Sequence, residues 1–191
     1  TIPELETVVY LKEERPLQQS YVFLGHPAPG SGTHDAAALT MTGVILGGGR
    51  SSRLYQRLIE GEQIANSVSA SYNGFGDIGL FGIFVELDPS KRDRLTEIIQ
   101  EELLRLQTEP VTDAELERAR AMARSSLAFS TESSTNVAMY LGQMEIYGGV
   151  MGAVNQGALL EQITAEDIQR AAQSFLHPHA YVHSEISPVG R

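Results

Sequence analysis

The 191-residue sequence contains no cysteine. A thiol nucleophile is therefore excluded, and the fold cannot depend on a disulfide bond. A chain of this length does not require one, because it can bury roughly 70% of its unfolded surface around an ordinary hydrophobic core. Since cysteine-free proteins occur in oxidising and reducing compartments alike, this absence does not indicate where the protein works.

Long apolar runs and a basic surface are also missing. No segment approaches the about 20 apolar residues that cross a bilayer, so we predict no membrane span. The 14 basic residues are outnumbered by 24 acidic ones, and a net charge of −10 would repel a phosphate backbone, so nucleic acid is not an expected partner. The sequence begins at Thr1 without a start methionine or a signal-like segment, and we interpret it as a piece of a longer protein.

Five segments have the composition or the two-residue period of β-strands. Between residues 64 and 72, serines alternate with apolar residues, which is typical of a half-buried strand. Residues 78–87 are apolar or glycine on both faces, so this strand is expected in the interior of a sheet. A charged turn is expected at 12–16 and a hairpin loop at 73–77. The predicted strands are 7–11, 19–24, 64–72, 78–87 and 180–186.

Capping residues predict two helices between the second and third strands. Residues 31–35 can cap a helix that the triplet Gly47-Gly48-Gly49 then ends. The hydroxyl groups of Ser51 and Ser52 can accept the first free amide hydrogens of a second, short helix that ends near Gly61.

Further helix starts follow the fourth strand. They are Asp88-Pro89, Thr112-x-x-Glu115 and Thr164-x-x-Asp167, with more helix at 133–147 and 154–162 and a break at Gly148-Gly149. Strands and helices thus occur in blocks rather than in regular alternation. We therefore predict an α+β fold, a mainly antiparallel sheet with helices packed on one face, as a single domain over residues 1–191.

Histidines are the first candidates for a metal centre. His177, His179 and His183 form the one cluster in the sequence, but residues 179 and 183 on a strand would stand ~13 Å apart, too far for one ion. His26 lies beside Pro27 and Pro29 in a predicted loop, and His34 lies in a helix-capping segment, so solvated or capping roles are expected for both. Neither H-E-x-x-H nor H-x-x-E-H occurs, so we predict no metal site in this chain.

The glycine triplet at 47–49 also permits a nucleotide-binding interpretation, because glycine-rich turns before helices expose amide hydrogens to phosphates. The spacing G-x-x-x-x-G-K-[ST] has no match, and G-x-G-x-x-G would require glycine where Ser52 stands. No G-x-S-x-G elbow supports a serine hydrolase. A helix end followed by a tight turn is the favoured interpretation.

Several segments together resemble the C-terminal half of the pitrilysin-like zinc peptidases, the inverzincins that include the mitochondrial processing peptidase. The segments are 45–48, 52–58, 65–70 and 112–119, with Asp35 before its helix. The resemblance implies a bilobed protein in which a first domain carries H-x-x-E-H and zinc, and a second, zinc-free domain completes an enclosed chamber for peptides. This chain is similar to the second domain, so zinc is expected in a partner domain, on the same chain or on a separate subunit, and the chain alone is predicted to be inactive.

The resemblance also implies where substrate would be met. Many second domains of the family contribute an arginine and, seven residues later, a tyrosine near the zinc, and the matching positions here are Ile59 and Asn66. With Arg53, Tyr55 and Arg57 they form the predicted substrate-binding set, with no catalytic residue among them. Loss of the arginine and the tyrosine equally fits the alternative of a structural scaffold module. Bacterial relatives often act in the periplasm or cell envelope, which is the compartment we expect.

Overall fold

The computed structural model of the chain describes residues 5–147 and 157–190. Its strands are β1 (Val9–Arg15), β2 (Ser20–Pro29), β3 (Ala65–Phe75), β4 (Ile78–Leu87) and β5 (Val182–Pro188). Its helices are α1 (His34–Gly47), α2 (Arg53–Tyr55, continued by a π-helical turn, Gln56–Gly61), α3 (Leu95–Thr108), α4 (Asp113–Ser130), α5 (Ser134–Tyr147), α6 (157–162) and α7 (Ala165–Phe175). The predicted break at Gly148-Gly149 and the predicted helix start at 154 lie outside the described residues.

The five strands form one mixed sheet in the order β1-β5-β2-β4-β3. β1 runs parallel to β5, and the pairs β2–β5, β2–β4 and β3–β4 are antiparallel. The predicted α+β fold with a mainly antiparallel sheet is thereby confirmed. β4 pairs on both sides, as its apolar residues on both faces indicated, whereas β1 and β3 are the edges.

The helices pack against one face of this sheet, which we call the covered face. It is defined on the central strands by alternate residues that are fully or almost fully buried, such as Val22, Leu24, Phe81 and Ile83. These residues join one hydrophobic cluster with buried side chains of α1, α3, α4 and α7. The residues between them, such as Phe23 and Phe84, point to the opposite side, which we call the open face.

Local capping sets where the helices begin. The Thr33 hydroxyl accepts a hydrogen bond from the Ala36 amide and caps α1. Thr112 and Thr164 form the predicted capping boxes with Glu115 and Asp167, so α4 and α7 begin where the sequence indicated. After Asp88 the chain first makes a 3-10 turn, Pro89–Arg94, and α3 begins only at Leu95.

Two sequence predictions about the first strands are wrong. The charged segment expected as a turn at 12–16 is strand as far as Arg15, because it pairs with β5 over this length while its charged side chains stay exposed at the sheet edge. The proline-containing segment expected as a loop after Leu24 continues β2 as far as Pro29. Consequently His26 is not solvated: it lies on the covered face and is completely buried. His34, by contrast, is exposed at the start of α1.

Candidate functional site

The candidate site is built around the junction of α1, α2 and β3. α1 ends at the glycine triplet, where the Gly48 amide donates to the Val44 carbonyl. A Cβ atom on Gly47 would lie 2.1 Å from the Ala70 nitrogen, so only glycine lets the helix approach the strand this closely. Gly49 follows with φ of 81°, in the left-handed region. The predicted helix end and tight turn are confirmed.

The short helix α2 is fixed by its buried leucines. Leu54 and Leu58 are fully buried, and Tyr55 is half-buried. Ser52 occupies the N-cap position, but its hydroxyl donates to the Gly49 carbonyl at 2.7 Å instead of accepting the first helical amides as predicted. The rest of the helix widens into a π-helical turn, Gln56–Gly61, before the chain enters β3.

Arg53 is held by a bidentate ion pair. Its Nε and Nη2 atoms donate to the two carboxylate oxygens of Glu115 at 2.6 and 3.0 Å, and the Arg53 side chain is only 9% exposed. This hydrogen bonding is the main cause that lowers the pKa of Glu115 to about 2. Because Glu115 also completes the capping box of Thr112, the pair ties α2 to the start of α4.

Arg57 is engaged by the acidic residues of α3. Its Nη2 donates to Glu101 at 2.7 Å and its Nη1 to Glu102 at 3.1 Å. Hydrogen bonding to Glu101 is the main cause that raises the pKa of Arg57, while Arg57 in turn lowers the pKa of Glu101. Arg57 is 31% exposed and Glu102 is buried, so this group is a partly solvated anchor between the π-helical turn and α3.

Ile59 and Asn66 have contrasting environments. Ile59 is partly buried and packs against the hydrophobic core. Asn66 lies where the register between β3 and β4 shifts, at a β-bulge, and its exposed amide donates to the Gln19 side chain at 2.9 Å. Of the five predicted substrate-binding residues, Asn66 is the most exposed, and Arg53 is held most tightly, by its bidentate ion pair. The role of these residues in binding substrate stays a prediction.

The hairpin of β3 and β4 carries a polar strip on the face of the sheet that points away from this junction. Ser67, Ser69 and Ser71 are exposed on the open face of β3, and we call them the serine strip. The segment Ala65–Phe75 contains no charged residue. The turn that joins the two strands is shorter than predicted, with Gly76 at φ of 66° supplying its left-handed residue.

Two features of the site were not found from the sequence. The Arg53–Glu115 pair joins residues 62 positions apart, and no local pattern signals such a contact. The buried His26 ring lies against the Tyr181 ring with centroids 5.3 Å apart and planes tilted by 32°, and neither His26 ring nitrogen has a hydrogen-bond partner among the described residues. Burial, followed by the nearby His177, lowers the pKa of His26 to about 4, so the ring is neutral at pH 7.

Metal-binding side chains do not converge in the part of the chain that the structure describes. Across residues 5–147 and 157–190, no group of three or more His, Asp or Glu side chains could hold a metal ion. Within the same ranges, no helix is both long and apolar enough to cross a membrane. Fold and site together define an α+β domain whose edge strand β3 has anchored arginines on one side and a polar strip on the other.

The chain belongs to the M16 peptidase family. Residues 1–123 match the peptidase M16 inactive domain, so the chain is an inactive domain of zinc protease-like proteins. The resemblance to the C-terminal, zinc-free half of this class of peptidases is thereby confirmed.

Similar proteins extend the family assignment. An uncharacterized zinc protease of Streptomyces coelicolor is 29% identical over 163 residues, which cover 85% of this chain and 36% of that protein. The mitochondrial-processing peptidase subunit alpha-2 of Dictyostelium discoideum is 29% identical over 153 residues, covering 75% and 34% respectively. The chain thus spans less than half the length of these curated relatives.

A solved structure has the same fold. The crystal structure of a protease from Helicobacter pylori matches with a TM-score of 0.89 at 20% identity, and the match covers 97% of this chain and 46% of that one.

Proposed function

We propose that this chain is the zinc-free half of a zinc metalloendopeptidase and forms part of the wall of its peptide chamber. Peptide hydrolysis is carried by a partner domain that contains H-x-x-E-H, on the same chain or on a separate subunit. The observation that carries the proposal is the match to the inactive peptidase domain over residues 1–123. The proposal is supported by relatives that are more than twice as long as this chain and are named as zinc proteases.

The chamber wall in this proposal is the edge of the sheet at β3, with the serine strip on one side of the strand and α2 on the other. An uncharged polar strand can form hydrogen bonds to peptides of varied sequence without selecting strongly for side-chain charge. Arg53 and Arg57 support this wall through their ion pairs, because they fix α2 against α4 and α3. Asn66 is the predicted site residue that remains available to a peptide. We further propose the periplasm or cell envelope as the compartment.

The proposal is tested by mixing the purified chain with the zinc-bearing half from its own source and following cleavage of quenched fluorescent peptides. The chain alone should neither cut peptides nor retain stoichiometric zinc. Cleavage by the zinc-bearing half should rise at least tenfold when the chain is added. A zinc-bearing half whose H-x-x-E-H glutamate is replaced by glutamine is the control. Unchanged cleavage, or zinc retained by this chain alone, would refute the proposal.

A structural scaffold is the second candidate. It is favoured by the apolar Ile59 and the short Asn66 at positions where many active relatives of this class carry arginine and tyrosine. Sequencing the partner domain separates the two candidates, because a degenerate H-x-x-E-H motif supports the scaffold and an intact one supports the peptidase.

A further inference from the structure

The segment that leads into β3 lies between two irregularities of the backbone. Before it, the chain makes the π-helical turn Gln56–Gly61. After it, Asn66 is the additional residue of the β-bulge between Ala65 and Ser67. As a result, Asn66 and Ser67 are both exposed, although the side chains of neighbouring strand residues normally alternate between the two faces. Irregularities of both kinds are frequent where a side chain is re-aimed at a functional site.

Gln63, within this segment, has an unusual backbone conformation. Its φ is 50°, and among the described residues it is the one non-glycine residue with a positive φ. The left-handed region is disfavoured for a residue with a Cβ atom, so the surroundings must hold Gln63 there. The side chain of Gln63 is exposed and does not supply that hold by packing. On the covered side the chain is fixed by the buried Ile64, whose amide donates to the Leu58 carbonyl at 2.8 Å.

Lys91 contacts Gln63 from the 3-10 turn that follows β4. The Nζ atom of Lys91 donates to the Gln63 carbonyl oxygen at 2.7 Å. The turn itself is fixed to the end of β4, because the Lys91 amide donates to the Asp88 carbonyl at 3.0 Å. Since the ladder of β3 and β4 ends with the pair of Ala65 and Leu87, the contact of Lys91 with Gln63 extends the pairing of the two strands past its end.

This contact is exposed and spans an open cleft. Lys91 and Gln63 are both exposed, and Lys91 lines the cleft between the 3-10 turn and the segment together with Ile64 and Arg94. Arg94 also reaches across, but its Nε atom lies 3.7 Å from the side chain of Glu62. Because a charged donor on a carbonyl oxygen makes a strong and directional hydrogen bond, Lys91 is suited to fix the backbone of Gln63 itself.

We propose that Lys91 is a positioning residue for the peptide-facing wall. By holding the Gln63 carbonyl, Lys91 keeps the left-handed turn that sets how the chain enters β3, and this entry forms the bulge that presents Asn66 beside the serine strip. Asn66 is then held in one orientation by its hydrogen bond to Gln19 at 2.9 Å. Without Lys91, Gln63 relaxes and Asn66 is presented in several orientations. The inference rests on the proposed function, in which Asn66 is available to a peptide.

Hydrogen exchange of the isolated chain, followed by NMR, tests the hold of Lys91 without any partner. Lys91→Met removes the ammonium group and keeps an unbranched side chain. Amide exchange at residues 64–67 should accelerate at least about tenfold, because the segment opens locally, while the urea midpoint should stay that of the parent chain. Lys12→Met is the matched control and should leave this exchange unchanged. Lys12 is the other lysine of the sequence, is 50% exposed and is paired with the Glu185 side chain at 3.9 Å. Unchanged exchange in Lys91→Met would overturn the proposal.

A glycine background shows whether the left-handed conformation is what Lys91 holds. Glycine adopts a φ of 50° as readily as a negative one, so in Gln63→Gly the further change Lys91→Met should alter the exchange less than about threefold. Lys91→Arg should keep the parent rates, since a guanidinium group can donate to the same carbonyl oxygen. The full effect of Lys91→Met in the glycine background would contradict the inference.

The role in binding peptide is tested with the zinc-bearing half and quenched fluorescent peptides. Lys91→Met should raise KM about fivefold and leave kcat unchanged, because a misplaced Asn66 weakens binding and not the hydrolytic step. Asn66→Ala should raise KM by the same factor, and the double variant should add nothing further. An unchanged KM in Lys91→Met would overturn the positioning role and leave the proposed function intact. If the parent chain does not stimulate cleavage, the proposed function fails, whereas the exchange rates still decide whether Lys91 holds the segment.

Discussion

The two faces of the sheet carry similar apolar side chains that differ in what lies opposite them. Phe81 and Phe84 belong to the same strand, β4, yet Phe81 is completely buried under the helices while Phe84 is 40% exposed. Because the side chains are identical, the difference in their contribution to folding must come from their surroundings. The covered face therefore stabilises this chain by itself, whereas the open face retains apolar surface that can stabilise an assembly.

Polar groups show the same contrast. On the covered face, His26 is buried between β-strands and helices without a partner for either ring nitrogen among the described residues. On the open face, the serine strip is solvated. A buried unpaired nitrogen costs about 1–3 kcal/mol, and an exposed hydroxyl costs little. Protonation of a group on the covered face should therefore change the stability of the fold, whereas the serines of the open face should have no such effect.

The largest expected effect comes from truncating the two phenylalanines of β4. Phe81→Ala should lower the free energy of unfolding by about 3–5 kcal/mol, because it leaves a cavity in the core. Phe84→Ala should lower it by less than about 1 kcal/mol, since it loses mainly the stacking on Tyr21. Urea unfolding of the isolated variants measures both values. Similar losses for the two variants would show that the open face is packed in the isolated chain.

The ion pair beneath α2 should give the next largest effect. Arg53→Ala should lower the free energy of unfolding by roughly 2–3 kcal/mol, because it leaves the Glu115 carboxylate without its bidentate partner. Arg105→Ala, which breaks the exposed pair with Glu109, is the control and should cost less than about 0.5 kcal/mol. Urea unfolding at pH 7 compares them, and equal costs would mean that the pair does not anchor α2.

Acidification should then destabilise the covered face through His26. The pKa of His26 is about 4 in the folded chain and 6.5 in the unfolded chain, so only the unfolded chain binds this proton between those values. The contribution of neutral His26 to the free energy of unfolding is complete above pH 6.5 and is lost as the pH falls toward 4. The free energy of unfolding should therefore fall by about 2 kcal/mol between pH 7 and pH 5.

Histidine variants identify the group responsible. His26→Leu should remove most of this pH dependence of the free energy of unfolding, and His34→Gln, at an exposed histidine, should retain it. Burial also lowers the pKa of His183, so a smaller slope should remain in the His26→Leu protein. A slope unchanged by His26→Leu would exclude the buried ring as its cause.

Local signals explain which parts of the fold could be predicted from the sequence. The capping boxes at Thr112 and Thr164 and the alternation in β3 act over a few residues, so they were recognisable. The burial of His26 could not be recognised from the sequence. It follows from the extension of β2 through Pro27 and Pro29, which depends on pairing with β4 and not on local preference. The Arg53–Glu115 contact depends on how α2 and α4 pack, which no single-sequence pattern encodes.

The smallest expected effect lies at the end of β3 where the open face meets the bulge. The double substitution Ile59→Arg and Asn66→Tyr places hydrogen-bond donors at the two positions that the family resemblance assigns to substrate. It should raise the rate of peptide cleavage by the chain and its zinc-bearing half by about fivefold, a gain of roughly 1 kcal/mol, because imperfectly placed donors recover only part of the stabilisation that such groups can supply. Initial rates with quenched fluorescent peptides measure the gain. Ile59→Arg with Asn73→Tyr is the control, since Asn73 is also exposed on β3 but lies near its far end. Equal rates for the two double variants would mean that residue 66 does not occupy the assigned position, whereas a gain confined to the variant that contains Asn66→Tyr would place this end of the strand beside the peptide.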